Sequence, residues 1–481
     1  MTPFVVSLAL VGLVIVVAAL FSGLVDRFRV PQVAMFLTLG AALGPFGLGL
    51  VDFGLTSPVL EGIATIGLVL VLFSDAISLD PRAVRNHARL AVLVLGPGTV
   101  LTAGIITLAA WGLLGLAPPL AVMLGAALAS TDPVMMRGLL RSESVPAAAR
   151  QALKLESGLN DLVLLPIVLL AMALAGGAAS ATPLGRQAVG LLVFGPGAGV
   201  LVGFVGVALL EGVRKRVGVR RDYESIYALG LAFTAFAAAE AVHGSGFLAA
   251  FAAGLTIVAF DAELCDCFVD YGQATAEMFL LFTFVAFGAS LVWTGLDALT
   301  WRTLTFVMVA LFGRSLVLAV ALRREPLDPH SRRLIVWYGP RGLSSLLLVL
   351  LPVFAGVPGA AALFPPAALA VLASIVLHGG ALMLGGRTGP PIGDEGRGTR
   401  AESAPQAAAP TLSRERITLD ELKQLQTRGE RVVLLDVRKE SAWGESLVKA
   451  LGAIRLPPDS ARTRAAELAL PRHEWLVAYC A

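Results

Sequence analysis

The sequence is poor in charged residues: only 15% of its 481 residues are Asp, Glu, Lys or Arg, while 57% are hydrophobic. Soluble globular domains usually carry about 25% charged residues, so this composition excludes an ordinary soluble protein for most of the chain. Mean hydropathy is +0.80. The formal net charge is only +3, and so small an excess does not indicate a nucleic-acid partner.

Cysteine is also scarce, with 3 residues in the chain. Cys265 and Cys267 are separated by one residue and lie beside acidic side chains, but the further ligands that a metal site requires are not nearby. We expect both to be bystanders. No cleavable signal peptide is predicted, because the first apolar run starts with polar, uncharged residues and is too long for a signal h-region. No nucleotide-binding fingerprint is present, and no cofactor is expected.

Long apolar runs occupy the sequence from residue 3 to about residue 386. Each run is long enough to cross the roughly 30 Å hydrocarbon core of a bilayer as a helix. We therefore predict an all-α polytopic membrane domain over residues 1–386, with about thirteen transmembrane helices. The runs begin near residues 3, 32, 57, 90, 118, 151, 186, 223, 244, 272, 301, 333 and 361.

Basic residues accumulate on alternate connections between these runs, and the positive-inside rule makes the basic set cytoplasmic. The opposite set carries only Arg186 and Arg302. An odd number of spans then puts the N-terminus outside and the C-terminal region in the cytoplasm, in a cell (inner) membrane. The basic set consists of Arg27, Arg29, Arg82, Arg85, Arg89, Arg137, Arg141, Arg150, Lys154, Arg214, Lys215, Arg216, Arg220, Arg221, Arg323, Arg324, Arg332 and Arg333.

Two carboxylates, Asp132 and Asp161, fall in the middle of the fifth and sixth apolar runs. At 1.5 Å per residue, Asp132 lies about 20 Å and Asp161 about 15 Å from the start of its run, so both reach the bilayer midplane. A charge at that depth is costly and is tolerated where it faces a bundle interior or a water-filled cavity. These residues therefore indicate an ion or proton pathway.

Oxygen-bearing side chains surround the two carboxylates in the sequence. Thr131 precedes Asp132, and Ser157 lies one helical turn before Asp161 on the same face. Pro133 removes a backbone hydrogen bond, so we expect carbonyls near residues 129–131 to be available to a cation. Hard oxygen ligands suit a small hard cation such as Na⁺ or K⁺, and the absence of His and Cys disfavours a transition metal.

A second interrupted helix is predicted at Tyr338–Ser345, where Gly, Pro and Gly surround Arg341 inside an apolar run. Arg341 lies about 12 Å into the membrane, and an unpaired arginine there is not expected. Glu156, at a comparable depth, is its predicted partner, which would leave Asp161 free to titrate. The two interrupted helices are seven apart, as inverted repeats joined by one extra helix would require.

Other charged residues within or near the apolar runs are expected to have structural roles. We expect Arg314 and Asp75 to form ion pairs or to pack between helices. A second group of carboxylates lies close to helix ends and is predicted to be solvated or interfacial: Glu61, Glu240 and Glu277.

Four stretches resemble the signature segments of monovalent cation/proton antiporters of the sodium/hydrogen exchanger family, specifically the NhaP-type branch. They are ASTDPV at 129–134, ESGLND at 156–161, HGSGFLAAFAAGL at 243–255 and YGPRG at 338–342. The resemblance covers about residues 5–385. It implies a thirteen-helix homodimer in the lipid bilayer, with a six-helix core in which two discontinuous helices cross.

The same resemblance implies roles for individual residues. Asn160 would stabilise the crossing helices, and Glu156 would pair with Arg341. The ion would be bound by the side chains of Asp161, Asp132 and Ser157 and by the Thr131 carbonyl.

The composition changes abruptly after residue 386. Residues 387–412 are rich in Pro, Gly, Ala and Ser and are predicted to form a flexible linker. Residues 413–481 resemble a rhodanese-like α/β domain through LLDVR, GAIRLP and VAYC. That family's cysteine begins an anion-binding loop, but here the chain stops one residue after Cys480. We therefore expect an incomplete domain without sulfurtransferase activity.

These features predict a transporter that exchanges Na⁺ or K⁺ for H⁺ by alternating access, with both ions competing for Asp161. Relatives that move net charge carry two adjacent acidic residues where this chain has Asn160 and Asp161, so exchange is predicted to be electroneutral. The alternatives are a potassium efflux system or cation channel, and a membrane-anchored sulfur-transfer enzyme that would depend on Cys480 alone. The sequence leaves the choice among Na⁺, K⁺ and Li⁺ open, because side-chain oxygens bind all three.

Overall fold

A computed structural model of the protein describes residues 32–79, 88–141, 145–176, 184–217, 221–260, 281–380, 430–438, 450–457 and 475–479, with isolated positions between them. The chain divides into two compact units, Met1–Asp394 and Glu395–Ala481. Several residues singled out from the sequence lie outside the described residues: Cys265, Cys267, Glu277, Cys480 and the linker 387–412.

The regular secondary structure in the described residues of the first unit is entirely helical. Its helices, in chain order, are α1 Gln32–Leu43, α2 Pro58–Ile77, α3 Ala88–Leu114, α4 Pro118–Ala129, α5 Pro133–Arg141, α6 Ala147–Gly176, α7 Gly185–Arg216, α8 Arg221–Ala241, α9 Gly246–Phe260, α10 281–289, α11 Trp301–Ala321, α12 Pro329–Trp337, α13 Leu343–Phe354 and α14 Ala360–Gly379.

Seven spans within the described residues are long and apolar enough to cross a membrane. Three shorter apolar helices, α1, α9 and α13, accompany them. This architecture agrees with the predicted polytopic all-α membrane protein. The first predicted run and much of the run beginning near residue 272 lie outside the described residues, so the total of thirteen stays a prediction.

Two of the predicted membrane helices are interrupted. The first is divided into α4 and α5 by extended backbone at Ser130, and Pro133 starts the second half, a position where its missing N–H costs no hydrogen bond. The second is divided into α12 and α13 by residues 338–342. Both interruptions were predicted from the sequence, although Pro133 begins a half-helix and does not kink a continuous one.

Small residues allow the helices to approach closely. A Cβ atom added to Gly199 of α7 would lie 2.1 Å from the Ala249 carbonyl of α9, closer than van der Waals contact permits. Residues from α4, α6, α13 and α14 supply much of the buried apolar core, and this core holds the two interruptions in place.

The second unit contains a parallel three-stranded sheet in the order β2-β1-β3. The strands are β1 Val432–Asp436, β2 Ile454–Arg455 and β3 Trp475–Tyr479. At the end of β1, hydrogen bonds from Arg438 and Tyr479 hold the pKa of the buried Asp436 well below its usual range.

Candidate functional site

The two helix interruptions meet in the interior of the first unit. The Asp132 amide donates a 2.9 Å hydrogen bond to the Pro340 carbonyl. In the opposite direction, Arg341 Nη1 donates to the carbonyls of Ala129 at 2.7 Å and Ser130 at 3.0 Å. These bonds satisfy carbonyls that the end of α4 leaves without helical partners. The two interrupted helices are therefore joined at the point where each is broken.

The Asp132 carboxylate caps two half-helices at once. Its Oδ1 accepts from the Val134 amide at the start of α5, and its Oδ2 accepts from the Leu343 amide at the start of α13, both at 2.8 Å. A negative charge at a helix N-terminus is stabilised by the helix dipole and the unpaired N–H groups. Asp132 is 1% exposed, and the interactions with these two helix ends offset the free-energy cost of burying its charge.

A glycine makes this double cap possible. A Cβ atom at Gly342 would lie 1.9 Å from Asp132 Oδ2, a distance that excludes any side chain. The backbone at Gly342 can therefore approach the carboxylate only because the residue has no side chain.

Asp161 lies on α6 beside the same crossing and is 4% exposed. Its Oδ1 accepts a 2.7 Å hydrogen bond from the Ser130 hydroxyl. Within the described residues no basic side chain is paired with it. The arrangement leaves a buried carboxylate supported by one hydroxyl, and such a group is stable in a membrane interior only when a proton or a cation neutralises it.

Asn160 connects α6 to the first interruption. Its Nδ2 donates to Thr131 Oγ1 at 2.9 Å and to the Thr131 carbonyl at 3.2 Å. Its Oδ1 is buried and accepts no hydrogen bond from the described residues. A buried acceptor without a donor is unusual in a folded protein, and here it adds an oxygen to the polar cluster around Asp161.

Ser157 lies one turn before Asp161 and is also buried, at 4% exposed. Its hydroxyl donates within its own helix to the Lys154 carbonyl, at 3.4 Å. Ser157 therefore lies on the expected helix, one turn from Asp161. The side-chain hydrogen bonds at the site instead join Thr131 to Asn160 and Ser130 to Asp161.

The residues 13–384 match the family model described as "Sodium/hydrogen exchanger, transmembrane". The chain belongs to this family. Among curated proteins it is similar to the K(+)/H(+) antiporter NhaP of Alkalimonas amylolytica, with 26% identity over 378 residues, and to the Na(+)/H(+) antiporter 2 of Zygosaccharomyces rouxii, with 25% identity over 343 residues. These matches cover 78% and 64% of this chain but only 65% and 41% of the relatives.

A solved structure of the sodium proton antiporter MjNhaP1 from Methanocaldococcus jannaschii has the same fold. Its TM-score is 0.63 with 19% sequence identity, and the match covers 79% of this chain and 98% of that one. At this identity the comparison establishes the fold of the transmembrane unit.

One pairing predicted for this exchanger-family chain is wrong. Glu156 pairs with Arg314 of α11, through Nε–Oε1 and Nη2–Oε2 contacts of 2.5 Å, and not with Arg341. The Glu156 and Arg314 side chains are 5% and 3% exposed. The acceptors of Arg341 Nη1 are instead the carbonyls of Ala129 and Ser130, and its buried Nε has no hydrogen-bond partner among the described residues. The expectation that Arg314 forms a structural ion pair is confirmed.

The predicted role of the carbonyls at the first interruption also needs correction. We expected carbonyls near residues 129–131 to be available to a cation. The carbonyls of Ala129 and Ser130 accept from Arg341, and the Thr131 carbonyl accepts from Asn160. Protein donors therefore already occupy this segment, because the second interruption brings an arginine to the end of α4.

Three residues of the site were not predicted. Ser130 is the direct partner of Asp161, and its position beside Thr131 was the only signal in the sequence. On α14, Ser374 Oγ accepts from the Arg341 amide at 2.7 Å and lies 3.1 Å from His378 Nδ1. These two residues stabilise the second interruption from the neighbouring helix α14. No pattern in the sequence distinguishes them from other helical residues.

Glu240 is exposed at the end of α8, as predicted for an interfacial carboxylate. Its Oε1 accepts a 2.9 Å hydrogen bond from the Gly246 amide, which begins α9. This contact explains why a carboxylate precedes the HGSG connection between the two helices.

Proposed function

We propose that this chain is a secondary antiporter that exchanges Na⁺ or K⁺ for H⁺ by alternating access. The observation that carries the proposal is the difference among three carboxylates that are buried at or beside the helix crossing: Asp132, Glu156 and Asp161. Glu156 is neutralised by Arg314 and Asp132 by two helix N-termini, whereas Asp161 has a hydroxyl donor and, in the described part of the chain, no cationic partner. Asp161 is thus the group whose charge an exchangeable ion would balance.

Competition for Asp161 is sufficient for coupling. A proton and an alkali cation each neutralise the carboxylate, so binding of one favours release of the other. We propose that Asp132 and Ser157 supply further oxygens to the cation, while Asn160 holds α6 against the first interruption through its hydrogen bonds to Thr131. Relatives named as K(+)/H(+) and Na(+)/H(+) antiporters support cation/proton exchange and leave the cation open.

We also propose the predicted topology and assembly: a homodimer in the cell (inner) membrane, with the N-terminus outside and the C-terminal unit in the cytoplasm. The division into a transport domain 1–386, a linker 387–412 and a rhodanese-like domain 413–481 is likewise our proposal. The parallel sheet of the second unit is consistent with an α/β domain there.

The test is cation-induced proton movement in proteoliposomes loaded with a pH-sensitive dye, with Na⁺, K⁺ and Li⁺ added in turn. The wild-type protein should move protons in response to at least one cation, and Asp161→Asn should not, because an amide does not exchange a proton for a cation. Glu61→Gln is the matched control, since it makes the same change at an exposed position on α2. Cation-dependent proton movement by Asp161→Asn would refute the proposal.

A further inference from the structure

A pocket of about 470 Å³ lies between α11 and α12, away from the ion site. It is lined by Ala319, Val336 and Trp337 together with Arg332 and Arg333, and the surface that these residues present to it is largely apolar. Trp337 is 43% exposed, and Leu316 and Val320 on the adjoining face of α11 are 65% and 70% exposed. In a transmembrane unit, large exposed apolar side chains contact lipid, so the pocket opens toward the bilayer.

The two arginines have no carboxylate partner among the described residues. Arg332 Nη2 donates to the carbonyls of Glu325 at 2.9 Å and Leu327 at 3.4 Å. Arg333 Nε donates to the Pro329 carbonyl at 3.3 Å. The Arg332 Nε group is buried without an acceptor in the described structure, and a buried donor of this kind requires one. Both guanidinium groups therefore have backbone acceptors but no anionic partner among the described residues.

The chemistry of the pocket specifies an amphipathic anion. Arginine is well suited to phosphate because its planar guanidinium donates several hydrogen bonds. An apolar wall open to the bilayer suits an acyl chain, and tryptophan favours the depth where chain and headgroup meet. Basic pockets between membrane helices are known to bind anionic lipid headgroups.

We propose that this pocket binds an anionic phospholipid. Its phosphate contacts Arg332 and Arg333, and an acyl chain lies along Ala319 and Val336. The proposal does not depend on the antiport activity, because binding can be measured without transport.

The position of the pocket connects the lipid to the helix crossing. Trp337 is the last residue of α12 and directly precedes the second interruption. Its ring lies 6.2 Å from Phe312 and 6.3 Å from His378, and His378 contacts the Ser374 that binds the Arg341 amide. A lipid in the pocket therefore stabilises the half-helix that leads to Arg341.

The test uses the full chain purified in detergent, with native mass spectrometry and thermal unfolding as readouts. Dioleoyl-phosphatidylglycerol should bind and raise Tm, whereas dioleoyl-phosphatidylcholine and inorganic phosphate should have little effect. Arg332→Gln with Arg333→Gln should weaken phosphatidylglycerol binding about 30-fold, the effect expected from about 1 kcal/mol for each of two basic residues.

Arg323→Gln with Arg324→Gln is the matched control, because it removes two exposed charges from the neighbouring end of α11. This control should retain binding. Ala319→Trp fills the pocket without changing charge and should also weaken binding, which keeps the test decisive if the arginine variant folds poorly. Equal weakening by both arginine pairs, undiminished binding by Ala319→Trp, or equal stabilisation by phosphatidylcholine would overturn the proposal.

Discussion

Glu156 and Arg314 are joined by two hydrogen bonds, and their side chains are 5% and 3% exposed. We predict that Arg314→Met destabilises the transmembrane unit by about 3–5 kcal/mol, because removing one partner of a buried ion pair leaves an uncompensated charge. Methionine retains much of the apolar volume, so the lost volume contributes little to this difference.

Adding Glu156→Gln to Arg314→Met should restore part of that stability, since the remaining side chain is then neutral. The double variant should stay about 2 kcal/mol below the wild type, because two hydrogen bonds with a usual net value of about 1 kcal/mol each are lost. The free energy of unfolding in detergent, measured by chemical denaturation, gives all three values.

Arg341→Met provides the contrasting case. Its Nη1 group donates to the Ala129 and Ser130 carbonyls, so Glu156→Gln should not rescue it. Rescue of Arg341→Met by Glu156→Gln, combined with failure to rescue Arg314→Met, would refute the pairing described here.

Four further predictions concern the crossing, the tail and the stoichiometry. Asp132→Asn should keep the fold at a lower Tm, because asparagine has one acceptor oxygen and can cap only one of the two half-helices, and it should lose dye-detected exchange; Asp132→Leu, which caps neither, should lower Tm further, and equal Tm values for the two variants would contradict the capping role. Gly342→Ala should reduce both Tm and exchange, whereas Gly62→Ala, at an open position, should change neither. Deleting residues 400–481 should leave exchange intact, and loss of exchange with normal expression would show that the tail is required. Exchange driven by a fixed sodium gradient should not change with potassium diffusion potential if, as predicted from the sequence, one cation replaces one proton at Asp161; a clear voltage dependence, at about 2.3 kcal/mol per charge at 100 mV, would require a second titrating group.

The helix interruptions were predictable because their causes are local. Pro133 lacks a backbone donor, and the glycine-proline pattern around Arg341 disfavours a continuous helix wherever it occurs. The choice of partner for Glu156 was not predictable in this way. Arg314 and Arg341 are both buried in the same region, and which guanidinium meets the carboxylate depends on contacts between residues that are far apart in the sequence.

Ser374 and His378 illustrate a second limit. They stabilise the Arg341 backbone from α14, which is distant from Arg341 in the sequence but adjacent to it in the fold. Each is an isolated polar residue in an otherwise apolar run. The polar groups around Asp161 were easier to predict, because Thr131, Ser157 and Asn160 lie within a few residues of a membrane-embedded carboxylate.

The bonds between the two interruptions have a mechanical consequence. Asp132 accepts a hydrogen bond from the start of α13, while Arg341 donates one to the end of α4. Each interrupted helix is therefore held by a side chain of the other. Separating them would expose a carboxylate and a guanidinium to a medium that solvates neither. The two interrupted helices, α4–α5 and α12–α13, are therefore expected to move together as one rigid body. Any movement that presents Asp161 to the other side of the membrane would carry both of them relative to the surrounding helices.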